Sequence, residues 1–155
     1  MEIAALVAWV VTALGGFVLL ARWIAGGGLR QQQSRATRFP APLVFGHFLL
    51  AAAGLIVWII YLAADKDGLA WTAFVLLIVV ALLGFALFAR WLPEYRAGSG
   101  ATGTRAAAGT TATGAPAAGE SAPAERHLPV PVVVAHGLLG ATTLVLVLLA
   151  ALEVG

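Results

Sequence analysis

Two histidines occupy matching places in two long apolar segments of the chain. His47 lies five residues after Pro42, and His136 lies at the same spacing after Pro131. Proline suits the first turn of a helix. At 1.5 Å rise per residue, each histidine should therefore lie roughly 7–8 Å inside the helix that carries it. A histidine inside an apolar span is costly to retain and usually indicates a functional site.

Paired imidazoles at one depth, pointing into a bundle from diagonal helices, are suited to axial ligation of a haem iron. Three interpretations of His47 and His136 remain open at this point. They are haem ligation, hydrogen bonding that packs neighbouring helices, and a site for another ligand such as a quinone. Zinc or copper is disfavoured as the metal, because the spans offer only these two histidines and no acidic or thiolate ligand.

The segments that carry the histidines belong to a strongly apolar chain. Of its 155 residues, 61% are hydrophobic and 10% are charged, and the mean hydropathy is +0.97. A soluble domain of this size could not bury that much apolar surface. A run needs about 20 residues to cross a bilayer, and it must be helical within the bilayer. The sequence predicts an all-α membrane protein, a single domain over 1–155 with an up-down-up-down bundle of four spans: 3–25, 41–64, 69–92 and 129–152.

The four spans form two tandem helical hairpins. The first and third spans share the pattern G-F-x-L-x-A-R-W, beginning at Gly16 and Gly84. The second and fourth share P-x-P-x-x-x-x-H-x-L-L-[AG]. Matching Arg-Trp and Pro-x-Pro elements are more informative than matching Leu and Ala, so the pattern indicates an internal duplication. Because two spans separate the copies, both copies should insert with the same orientation.

Small and basic residues recur near the histidines in both copies. The small ones could leave room for a porphyrin, although small residues also serve plain helix packing. The arginines could bind propionates, although arginine at a helix end also snorkels and sets topology. The predicted cofactor-binding residues, with the histidines as metal ligands, are His47, His136, Gly16, Gly84, Ala51, Gly140, Arg22 and Arg90.

Charge distribution predicts the orientation of the bundle. All the arginines fall on one side of the four spans, and the only lysine, Lys66, falls on the other. By the positive-inside rule the arginine side is cytoplasmic, so both termini should be non-cytoplasmic. The Ala-, Gly- and Thr-rich segment 97–124 on the arginine side is predicted to be a flexible linker. The high Ala, Gly and Arg content favours a bacterial plasma membrane as the location.

At the level of architecture, the chain resembles the bis-histidine four-helix membrane cytochromes, including the cytochrome b group and the b-type anchors of succinate dehydrogenase. The resemblance rests on the four spans, on His47 and His136, and on the flanking glycines. Many such proteins carry two haems, whereas a single histidine pair here implies one haem b. His127 lies outside the spans.

We therefore expect an electron-transfer protein that works with quinone or with a partner subunit in the bilayer. No nucleophile, paired carboxylates or general base lie in the spans, so an electron-transfer or anchor subunit is favoured over a self-contained enzyme, and no catalytic residue is predicted. A haem-free structural, assembly or anchor subunit is the alternative, and a transporter is disfavoured because polar residues in the spans are so few. No nucleic-acid partner is expected, and a homo-oligomer remains open.

Overall fold

A computed structural model of the chain describes the backbone of residues 1–107 and 122–153 and the side chains of 1–97 and 122–153. Within these ranges the regular elements are all helical, and four helices are long and apolar enough to cross a membrane. The predicted four-helix, all-α fold is confirmed. The α-helices are α1 Glu2–Ala25, α2 Gln31–Ser34, α3 Ala41–Ala64, α4 Asp67–Ala107 and α5 Val130–Glu153, and a short 3₁₀ helix covers Ala124–His127.

The ends of α3 follow from local sequence. Pro40 precedes the helix in an extended conformation, with φ −62° and ψ 129°, and Pro42 occupies the first turn, where its missing N–H costs no hydrogen bond. At the other end Asp65 adopts the left-handed conformation, with φ 50°. That conformation turns the chain back sharply, so that α4 can begin at Asp67.

The four long helices pack as two pairs. The most extensive packing joins α1 with α5 and α3 with α4, and contacts of α4 with α5 and of α1 with α3 join the pairs. We call these the α1/α5 pair and the α3/α4 pair. Each pair combines the first helix of one repeat with the second helix of the other. Each long helix of one repeat therefore packs most extensively against a helix of the other repeat.

The apolar core has two parts. The outer core lies at the Glu2 end of α1 and is built around Trp9, Trp58 and Val147. The inner core lies at the arginine-bearing end and is built around Trp23 and Trp91. Many large apolar side chains are exposed along the outside of the helices, as expected where lipid is the solvent.

The predicted linker differs from the structure at its start. Helix α4 continues past the predicted span to Ala107, so 97–107 is helical where we expected no regular structure. Extending an existing helix adds a hydrogen bond for each residue without a new nucleation cost. The 3₁₀ helix begins at Ala124, the last residue of the predicted linker. Residues 108–121 lie outside the described part of the chain.

Candidate functional site

Both histidines lie at the same place in their helices. His47 is six residues after the first residue of α3, and His136 is six residues after the first residue of α5. At 1.5 Å per residue this is about 9 Å of helix in each case. Since α1 and α4 each contact both α3 and α5, the four helices form a ring in which the two histidine-bearing helices are not neighbours. The histidine rings approach each other across that ring.

Each imidazole is held by a backbone carbonyl of the other repeat. Nδ1 of His136 lies 2.9 Å from the carbonyl oxygen of Thr12 on α1. Nδ1 of His47 lies 2.9 Å from the carbonyl oxygen of Val80 on α4. Thr12 and Val80 are equivalent in the duplication, because each lies four residues before the matched glycine of its repeat. The hydrogen bonds are therefore reciprocal between the two copies.

These hydrogen bonds determine which ring nitrogen carries the proton. A carbonyl oxygen can only accept a hydrogen bond, so Nδ1 must be the donor in both rings. In a neutral imidazole the other nitrogen, Nε2, then has an unprotonated lone pair. Histidines that ligate metals usually donate their second ring nitrogen to a carbonyl, a carboxylate or water, which holds the ring in a fixed orientation. Both His47 and His136 thus have the tautomer that metal ligation through Nε2 requires.

The spacing of the two rings is longer than a direct hydrogen bond between them would give, and it lies within the 4.5–7 Å range of edge-to-face ring packing. Their centroids are 6.1 Å apart and their planes cross at 74°. A ring nitrogen lies about 1.2 Å from its centroid and a metal–imidazole bond is about 2.0 Å, so trans imidazoles on one metal have centroids about 6.4 Å apart. A linear hydrogen bond of about 2.9 Å between the rings would give about 5.3 Å. The observed distance is closer to the first value.

Gly16 and Gly84 make room for the imidazoles themselves. A Cβ added to Gly16 would lie 2.9 Å from Cε1 of His136, and one added to Gly84 would lie 3.0 Å from Cε1 of His47. Both distances are shorter than ordinary van der Waals contacts. Each glycine follows the accepting carbonyl by one helical turn, so its bare backbone lets the ring reach that carbonyl. The glycines that were singled out from the sequence therefore contact the histidine rings directly.

Ala51 and Gly140 lie one turn beyond the histidines, and both are half-buried. A Cβ on Gly140 would lie 3.8 Å from the Thr12 methyl group, an ordinary contact, and Ala51 packs against the outer core. A further turn along α3, the indole of Trp9 occupies the space in front of Gly54. Trp9 therefore fills the space beside α3 about two turns beyond His47, towards the Glu2 end.

The two arginines differ in their surroundings. Arg90 donates a hydrogen bond of 3.3 Å from Nη1 to the carbonyl oxygen of Arg38 in the loop between α1 and α3. Arg22, its equivalent in the first repeat, has an exposed side chain at the end of α1. A role of either arginine towards a propionate stays a prediction.

Sequence reasoning missed the acceptors of the histidine hydrogen bonds, although a signal for them was present. A glycine permits close approach to the carbonyl one turn before it. Once the glycines are matched between the repeats, Gly16 indicates the Thr12 carbonyl as an acceptor. Gly84 indicates the Val80 carbonyl in the same way. It also missed a buried carboxylate, Glu125, whose side chain is fully buried and accepts hydrogen bonds from Thr37 Oγ1 and from the Arg38 amide.

Comparison with known protein families, with curated proteins and with solved structures finds no match to this chain. We therefore infer a function from the geometry of the histidine pair and of the helices that carry it.

Proposed function

We propose that this protein holds one haem b between His47 and His136 and transfers electrons within a membrane. The observation that carries the proposal is the reciprocal pair of Nδ1–H···O=C hydrogen bonds, at 2.9 Å each, with ring centroids 6.1 Å apart. Bound haem would supply one-electron chemistry at its iron, with a potential that depends on axial ligands and their hydrogen bonds.

The chain's own contribution is to orient two ligands before the cofactor arrives. Donation from Nδ1 to a helix carbonyl selects the tautomer and makes Nε2 more basic. Gly16 and Gly84 keep each ring close to its supporting helix. Because the two supports lie on different helix pairs, the ligands approach from opposite sides of the bundle. The donor set, two imidazoles and no thiolate or carboxylate, is that of a low-spin b-type haem.

The reaction partner is proposed to be a membrane quinone or a partner subunit. The described chain is almost all helix with short connections, which offers no separate domain for a soluble substrate. An electron-transfer or anchor subunit therefore fits better than an enzyme with its own substrate site. We place it in a bacterial plasma membrane with the arginine-bearing loops in the cytoplasm, because positive charge is retained on that side.

An absorption spectrum of the purified protein tests the proposal. The full chain should be expressed with added haem precursor and purified in mild detergent. We expect a Soret band, sharp α and β bands on reduction with dithionite, and one haem for each chain by the pyridine haemochrome assay. A protein that is well folded and colourless after haem supplementation would refute the proposal.

The orientation is tested separately. A reporter inserted near Gly109 should report the cytoplasm, and one fused after Gly155 should report the opposite side. The reverse pattern would contradict the proposed orientation and would move the histidines to the outer half of the membrane. It would leave the ligation proposal intact, because the ring geometry does not depend on the direction of insertion.

A haem-free anchor or assembly subunit is the second candidate, and one observation favours it. The same two hydrogen bonds join α5 to α1 and α3 to α4, so the histidines already link the helices within each pair. Interhelical hydrogen bonds in membranes contribute about 0.6 kcal/mol on average. In this case His47→Gln and His136→Gln, which keep a donor, should preserve stability, and the wild-type protein should show no Soret band.

A further inference from the structure

A basic pocket lies at the arginine-bearing end of α3 and α4, away from the histidine pair. It is an open depression with a volume of about 450 Å³, within the 300–1,000 Å³ range of small-ligand sites. Three arginines line it together with polar and small residues from the preceding loop and from α4. The full lining is Arg35, Arg38, Arg90, Gln32, Thr37, Pro40, Ala89 and Pro93.

The neutral polar groups of the pocket are already occupied. The Gln32 amide nitrogen donates to the carbonyl oxygens of Gly28 and Phe39, and its oxygen accepts from the Ala41 amide. The Thr37 hydroxyl donates to Glu125 at 2.7 Å. These side chains therefore shape the wall, and the donors left for a ligand are guanidinium groups. Guanidinium groups bind phosphate and carboxylate oxygens with charge-assisted, often bidentate hydrogen bonds.

The nearby acid does not neutralise the pocket. Glu94, only 6% exposed, lies 2.6 Å from Nε of Arg38 and 3.3 Å from Nη2 of Arg126. It is thus shared between an arginine of the pocket and one outside it. Arg35 and Arg90 have no carboxylate within ion-pair distance among the described side chains. The pocket consequently keeps a net positive charge, which favours an anion.

An exposed apolar strip leads away from the pocket along α4. Ala89 and Pro93 form part of the pocket lining. Phe85 and Leu82 precede them at spacings of four and three residues, which places all four on one helix face. Phe85 is 70% exposed and Leu82 is 65% exposed. An anion bound by the arginines would therefore have apolar helix surface directly beneath it, as a phospholipid requires and a free phosphate does not.

We propose that the pocket of Arg35, Arg38 and Arg90 binds the phosphate of an anionic phospholipid, whose acyl chain lies along Phe85 and Leu82. Basic pockets beside membrane helices are a recurrent way of recognising acidic headgroups. Because Arg90 is also a predicted propionate ligand, lipid retention is measured on protein prepared without added haem, where the two roles do not compete.

Two substitutions isolate the site. Arg35→Gly removes one guanidinium at a backbone position that favours glycine, so the fold should not be strained. Arg90→Gln removes the second. Arg38 stays unchanged because its ion pair with Glu94 stabilises the loop. Arg96→Gln is the matched control, since Arg96 lies exposed on the same helix end outside the pocket.

Native mass spectrometry should compare retention of dioleoylphosphatidylglycerol with that of dioleoylphosphatidylcholine. We expect wild-type protein to prefer the anionic lipid, and each pocket variant to lose about fivefold of that preference, whereas Arg96→Gln keeps it. Equal loss in the control would indicate a general surface charge and overturn the proposal. Unchanged preference in Arg35→Gly would also overturn it. Displacement of the lipid by millimolar inorganic phosphate would show an anion site without lipid recognition, and would equally overturn the lipid assignment.

Discussion

The histidine pair and the arginine-bearing end of the bundle differ in how closely they follow the internal duplication. At the histidines the two copies use matching acceptor carbonyls and matching glycines beside the rings, and their hydrogen bonds have the same length. At the arginine-bearing end, Arg90 lies in a basic pocket and Arg22 does not. The two copies therefore match closely at the bundle centre and differ in the surroundings of their arginines. The proposed ligand shared between the two imidazoles would account for the match at the centre, because both rings must have matching reach.

Equivalence of the side chains also ends about two turns beyond the histidines, towards the Glu2 end. Thr143 Oγ1 lies 3.2 Å from Thr12 Oγ1 in the α1/α5 pair. The corresponding residues of the α3/α4 pair are Gly54 and Val80, which have no hydroxyl group, and Trp9 fills the space at Gly54. The two copies therefore differ in side-chain identity at this level, although matched positions elsewhere are buried alike, such as Trp23 with Trp91 and Ala5 with Ala73.

The largest expected effect is loss of the haem spectrum, which tests whether the two histidines act together. His47→Ala and His136→Ala should each abolish the low-spin haem spectrum completely, because bis-imidazole ligation needs both rings. The reduced-minus-oxidised difference spectrum measures this. His127→Ala is the control, since His127 is exposed in the 3₁₀ helix. A low-spin spectrum that survives either single substitution would contradict the shared-ligand interpretation.

The next effect concerns the glycines that support the rings. Gly16→Ala and Gly84→Ala should each lower haem content about tenfold, since a Cβ would overlap Cε1 of the adjacent histidine and such overpacking costs about 1–3 kcal/mol. Haem per chain is measured by pyridine haemochrome. Gly46→Ala and Gly137→Ala make the same change next to each histidine, where an added Cβ meets nothing within 4 Å. Equal losses in all four variants would mean that helix packing in general is responsible.

A smaller effect is expected at the non-equivalent end. Glu125→Gln should destabilise docking of the loop between α1 and α3 by about 1–3 kcal/mol, because the buried amide can no longer accept both hydrogen bonds. Faster hydrogen exchange at the Arg38 amide would report this. Haem absorbance should stay unchanged. The same substitution at the exposed Glu153 should have no effect on that amide.

The smallest expected effect is on the rate of haem loss when either of the two arginines is replaced. Arg22→Ala and Arg90→Ala should each speed haem loss to an acceptor protein by no more than about fivefold, because exposed charges are screened by water. Equal effects would support propionate binding in both copies and extend the equivalence to this end. An effect of Arg90 alone would indicate action through the Arg38 loop, and would sharpen the contrast between the two regions.

The sequence alone was sufficient for the helices. Within a bilayer, a run of about 20 apolar residues can satisfy its backbone hydrogen bonds only as a spanning helix. All the span ends except the end of α4 were therefore predicted to within a few residues. The end of α4 was missed, because an Ala- and Gly-rich sequence does not show by itself whether a preceding helix continues into it. The repeat motif likewise identified the histidines and glycines by residue type and spacing.

Tertiary structure decided how the two copies combine. Nothing in the repeat motif shows whether the helices of one repeat pack mainly on each other or on the helices of the other repeat. The packing of α1 with α5 and of α3 with α4 brings each histidine to a carbonyl of the other copy. That carbonyl is a backbone group, which every residue has, so no side-chain pattern could identify it. The tautomer of both imidazoles follows from this packing alone.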